Sequence, residues 1–118
     1  MSESDAYKTF RPIGAMSHCA PEKWLLPHEV GPESDVFSLG VLVYHATTDT
    51  YPFWEDTYVK LYEKIKNGIY RPAPSLKPTL SRAFANLIDG MMNSSQLFRV
   101  PSADEVIRLA QGVLRGGD

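Results

Sequence analysis

A chain of 118 residues and 13.2 kDa suffices for one domain with a modest core and leaves no room for a second. Its 43% hydrophobic and 22% charged residues exclude a disordered polymer, and a net charge of −2 with interspersed signs offers no basic stripe to nucleic acid or an anionic membrane. The single cysteine, Cys19, excludes an intrachain disulfide and fits a reducing, cytoplasmic setting. The longest apolar run, Leu39 to Tyr44, falls far short of the ~20 residues that span a bilayer. The acidic start Met1-Ser2-Glu3-Ser4-Asp5 lacks the basic and apolar regions of a signal peptide.

In chain order, residues 1–19 hold no sustained period and are broken by Pro12 and Gly14, which predicts an extended surface loop. Pro21 to Leu26 is long enough for a short helix, with Pro21 at a first-turn position and Pro27 blocking extension. Ser34 reads as an N-cap, with Asp35 placing negative charge in the first turn of the helix that follows. From Val36 to about Thr47 apolar residues cover every face, so this helix needs protein on all sides. Its β-branched residues make a buried strand conceivable, but length and cap favour helix. Tyr58, Leu61, Tyr62 and Ile65 recur at helical spacing and end at Asn67-Gly68, as a left-handed C-cap requires. A connector with Pro72, Pro74 and Pro78, which cannot be helical throughout, leads to a stripe of Leu80, Phe84, Leu87, Ile88 and Met91. Ser102-Ala103-Asp104-Glu105 is a capping box opening a last helix, with Val106, Ile107, Ala110, Val113 and Leu114 on one face until Gly116-Gly117.

Three motifs stand in fixed order: Ala20-Pro21-Glu22, then Ser34-Asp35-Val36-Phe37-Ser38-Leu39-Gly40-Val41, then Arg99. With Pro52-Phe53 and Leu87-Ile88 between them, the chain from about Gly14 to Leu109 resembles the C-terminal part of the large lobe of a eukaryotic protein kinase. The resemblance implies an all-α, partial kinase large lobe: residues 1–19 an activation-segment remnant, 20–115 the lobe and 116–118 a tail. It implies a buried pair between Glu22 and Arg99, two solvated surface charges being the plain alternative. It also makes Asp35 the residue that anchors the catalytic loop to the central helix, although an acidic first-turn residue needs no such role. Gly14 to Cys19 aligns with the shelf under the substrate, which makes Ala15, Met16, Ser17 and His18 the substrate-binding positions. The shelf departs from the family pattern: Ala15 replaces a threonine, His18 a tyrosine and, further on, Phe37 a tryptophan. Tyr7 and Thr9 fall where activation-loop phosphosites occur, though hydroxyls in polar loops are common.

The family's reaction is ATP-dependent phosphoryl transfer to a protein hydroxyl, with a Ser/Thr-type parent favoured. The groups that hold ATP and Mg in an intact kinase are missing here: no Gly-rich loop, V-A-I-K lysine, H-R-D-x-x-x-x-N or D-F-G is present. No catalytic residue and no cofactor is therefore expected in this chain, and no metal site, since His18, Cys19, His28 and His45 lack ligand spacing. Two readings follow. The chain is a piece of a kinase, with Met1 an internal methionine, or it is a pseudokinase-derived module that binds a protein substrate or regulatory protein. Exposed apolar surface on the central helix would make the isolated chain self-associate.

Overall fold

The computed structural model describes residues 13–25 and 31–116, the side chain of Ile13 excepted. Among these the elements are all helices: α1 (Ile13–Met16), α2 (Pro21–Leu25), α3 (Pro32–Thr48), α4 (Tyr58–Asn67), α5 (Ala73–Leu76), α6 (Arg82–Met91) and α7 (Ala103–Gly116). Residues 13–19 correct the loop expectation, because Ile13–Met16 closes one helical turn and Ser17 Oγ caps it by donating to Gly14 O at 2.6 Å.

The central helix α3 begins three residues earlier than its hydroxyl signal suggested. Gly31 is the N-cap and Pro32 occupies the first turn, where its fixed φ suits the helix and its missing N–H is not needed. Ser34 therefore lies inside the helix, and its hydroxyl is free to bond elsewhere. At the other end Asp49 adopts φ 60° and bonds back to His45 O, stopping the helix. α4 ends as expected, with Gly68 at φ 64°. Its start is set by Thr57, whose Oγ1 accepts from Lys60 N. Ser81 does the same for α6 and Ser102 for α7, accepting from Phe84 N and Glu105 N. The capping box of α7 is half realised, because the Glu105 carboxylate pairs with Arg108.

Helix α3 packs against α5, α6 and α7, while α2 packs against α4. The main core gathers Phe37, Val41 and Tyr44 from α3 with Phe53, Leu61, Ile65, Ile88 and Met92. A second cluster joins Val36, Leu87 and Met91 to the inner face of α7. Close contact between α3 and α6 depends on Gly40, since a Cβ there would lie 2.8 Å from Met91 Cβ and 2.8 Å from Met92 Cγ. The chain between α4 and α6 is fastened by two phenols: Tyr44 donates to Arg71 O and Tyr70 to Asp89 Oδ1, each at 2.5 Å. Burial first, and then the bond to the Asp89 carboxylate, push the Tyr70 phenol far above its ordinary range.

The surroundings of α3 are incomplete. Val36, Phe37, Val41 and Tyr44 are buried, whereas Asp35, Leu39, Leu42 and Ala46, spaced along one side of the helix, are exposed, Leu42 by 53%. No helix among the described residues is long and apolar enough to cross a membrane.

Candidate docking shelf and its ion-pair clamp

The segment from Gly14 to Leu25 packs on the main core through Met16, Ala20 and Trp24, and polar bonds fasten it further to the helices. Arg99, from the loop before α7, meets Glu22 of α2 through both arms of its guanidinium: Nη1 donates to Oε2 at 2.7 Å and Nη2 to Oε1 at 3.0 Å. The remaining donors find backbone carbonyls, Nε at Asn93 O (2.8 Å), Nη1 at Glu33 O (2.8 Å) and Nη2 at Ser94 O (3.5 Å). All five N–H groups of the fork are thus directed at acceptors, which a buried guanidinium requires. The Arg99 side chain is 0% exposed and that of Glu22 16%. Phe37 lies beneath the guanidinium, its ring centroid 5.0 Å from Cζ, so an aromatic face adds a cation–π contact.

Ser34 completes the carboxylate's shell by donating Oγ to Glu22 Oε2 at 2.7 Å. One turn later Ser38 donates Oγ to His18 O at 2.7 Å. The two hydroxyls, four residues apart on one face of α3, clasp the shelf at its carboxylate and at its backbone. Burial pushes the Glu22 carboxyl up, but the hydrogen bonds from Arg99 and then Ser34 outweigh it and leave it below the usual carboxylate range.

The four shelf positions are placed differently. Ala15 is exposed, Met16 packs against the main core, Ser17 is buried and His18 is half-buried. The outward surface of the shelf is therefore Ala15 and the His18 ring. That ring stands edge-on to Tyr51, 5.5 Å between centroids, and Tyr51 stacks on His45 at 4.0 Å. Asp35 lies on the open side of α3 with no hydrogen-bond partner among the described residues, beside a small cavity of about 130 Å³ with Pro32, Val36, Leu39 and Ala103. Tyr7 and Thr9 fall outside the described residues. Sequence reasoning missed the clasping role of Ser34 and Ser38 and the ring contact of Tyr51. The serines' four-residue spacing on an otherwise apolar helix was the available signal, whereas Tyr51 is a loop residue with no local period.

Among the described residues no three imidazole, thiolate or carboxylate groups converge as a metal cluster. The sequence contains no glycine-rich phosphate-cradle motif.

The protein kinase domain profile matches residues 2–109. Calcium-dependent protein kinase 26 of Arabidopsis thaliana is 33% identical over 96 residues, 81% of this chain and 19% of that protein. Calcium-dependent protein kinase 2 of Oryza sativa subsp. japonica is 30% identical over 95 residues, 80% of this chain and 18% of that protein. In three dimensions the chain is similar to the crystal structure of the Rad53 kinase domain and SCD2, with a TM-score of 0.67 at 26% identity, covering 81% of this chain and 36% of that one. The chain thus spans less than a fifth of the length of these curated relatives. With its helical clamp and its motif order, it belongs to the protein kinase domain family.

Proposed function

We propose that this chain is the substrate-docking part of a protein kinase large lobe, with residues 20–115 as the lobe and the preceding segment as the end of the activation segment. The parent activity is ATP-dependent phosphoryl transfer to serine or threonine of a protein. The chain supplies the shelf and its support, and the nucleotide and metal are held elsewhere in the parent. The observation that carries this reading is the Arg99–Glu22 clamp, reinforced by Ser34 and Ser38. Four helices' worth of packing position a segment that has no catalytic group of its own, which suits presentation of a surface rather than chemistry.

A second reading, a pseudokinase-derived module that binds regulatory proteins, is favoured by the composition of the shelf. Ala15 has no hydroxyl to offer a catalytic aspartate and lysine, and His18 stands where the family has tyrosine. Calorimetric titration with Mg-ATP tests what the readings share: no saturable heat is expected, and micromolar binding would overturn both. The reading frame of the transcript separates them. An in-frame upstream region encoding D-F-G and H-R-D-x-x-x-x-N supports the kinase, and a frame without them supports the module.

A further inference from the structure

Asn67-Gly68 is the one asparagine–glycine pair in the sequence, and it forms the end of α4. Gly68 takes φ 64° there because the C-cap calls for a left-handed residue. The missing side chain that permits the cap also leaves the Gly68 backbone nitrogen unhindered, so in an open chain it can attack the side-chain amide carbon of Asn67. Asn67 is exposed to water. The turn that ends α4 thus contains a pair of residues prone to lose the amide.

The folded turn keeps the reacting atoms apart. In a helix the Cα–Cβ bond tilts toward the N-terminus, and Asn67 follows this direction: Nδ2 donates back to Glu63 O at 2.9 Å and to Glu63 Oε2 at 3.3 Å. The amide carbon is thereby drawn toward the preceding turn. Gly68 N follows on the C-terminal side and is itself engaged, donating to Ile65 O at 3.3 Å, and Ile69 N closes the motif on Lys64 O at 2.9 Å. Attack therefore requires the Asn67 side chain to release Glu63 and the last turn to open. Asn67 and Ile69 are exposed, Ile69 by 55%, and a helix end with few buried contacts opens far more often than the whole chain unfolds.

We propose that Asn67 is a conformationally gated deamidation site, closed by the α4 cap and reached through its fraying. In the open turn Gly68 N loses its proton to solvent base and bonds to Asn67 Cγ; the Cγ–Nδ2 bond breaks, and Nδ2 takes up a proton from solvent and leaves as ammonia. Water then opens the five-membered succinimide at either carbonyl, giving aspartate or isoaspartate, so one water is consumed and one ammonia released. The change is one-way. Its product weakens the cap that delayed it, because a carboxylate replaces the donor to Glu63 O, faces the Glu63 carboxylate at i,i+4 and sits at the negative end of the helix. The nearby lysines are already engaged, Lys64 with Glu55 at 2.7 Å and Lys66 over the Tyr62 ring at 6.0 Å. Helix α4 carries the Tyr58 and Tyr62 rings that flank Trp24, so the charge accumulates on the helix against which α2 packs.

The test follows Asn67 by peptide-mapping mass spectrometry in the full chain kept at mildly alkaline pH, beside a free peptide of residues 63–72. Conversion should be at least about tenfold slower in the chain than in the peptide, and it should give isoaspartate as well as aspartate, since the succinimide opens both ways. Urea that unfolds the chain should abolish the difference. Ile69→Pro deletes the N–H that closes the turn on Lys64 O. It should speed conversion about fivefold or more relative to a peptide carrying the same change, with the Val41 and Ile88 amides still protected from exchange. In Asn67→Asp the amides of Gly68 and Ile69 should exchange about threefold faster or more, while those of Val41 and Ile88 keep their rates. Equal rates in folded chain and peptide, an Ile69→Pro chain as slow as the wild type, aspartate without isoaspartate, or wild-type exchange at Gly68 and Ile69 in Asn67→Asp would each overturn the proposal.

Discussion

Arg99 makes the same chemical demand wherever it is buried: a guanidinium out of water must have its donors filled, and here Glu22 and three carbonyls fill them. Removing one partner strands the other, so Arg99→Ala should lower stability by about 3–5 kcal/mol in denaturant unfolding. A shift below about 1 kcal/mol would mean that the pair is solvated, as a typical surface bridge is. The pH dependence has a definite sign. Glu22 ionises in the folded chain below its ordinary value, so its contribution is complete above that value, near 4.5, and is lost as pH falls through the lower, folded-state value. Stability measured from pH about 6 down to about 3 should therefore fall, and Glu22→Gln should flatten that descent. An unchanged acid limb in Glu22→Gln would assign it to other carboxylates. The partners themselves were legible in the sequence because two motifs flank them. Ser34 was not, because a serine ahead of an apolar run is indistinguishable from an N-cap until Gly31 and Pro32 are seen to start the helix.

Among the elements, α3 carries the most instructive packing. Its all-round apolar pattern announced a central helix, and the C-caps at Gly68 and the serine caps of α6 and α7 set the neighbouring boundaries from local chemistry alone. Hidden from the sequence was the turn at Ile13–Met16, since a four-residue helix has no period to read and depends on the Ser17 bond to Gly14 O. Equally hidden was the reason for Gly40. In an isolated helix Gly40→Ala would stabilise by about 1 kcal/mol, but here the added methyl meets Met91 Cβ, which cannot swing aside, at 2.8 Å. The helices must separate, and overpacking of this kind costs about 1–3 kcal/mol. Gly40→Ala should therefore destabilise the chain in urea unfolding, and a stabilised variant would show that α3 and α6 are not in such close contact.

At the scale of the molecule, the open side of α3 is the main departure from a closed fold. Leu39, Leu42 and Ala46 belong to a helix whose other faces are packed, and their exposure leaves apolar surface in water along more than two turns. Such a strip favours association, and a net charge of −2 opposes it weakly. Sedimentation should show self-association that rises with concentration and is reduced by Leu42→Lys, whereas a monomer at all concentrations with no hydrophobic-dye binding would show that the strip is inert.

The clamp fastens the shelf beyond what its packing through Met16, Ala20 and Trp24 supplies, and amide hydrogen exchange tests this residue by residue. In Glu22→Gln the Arg99 fork keeps its three carbonyls but loses its carboxylate, so the amides of residues 14–25 should exchange about tenfold faster or more, which corresponds to a loss of ~1.4 kcal/mol in local protection. The amides of Val41 and Ile88, in the main core, should keep most of theirs. A uniform loss across shelf and core, or no loss at the shelf, would contradict the account.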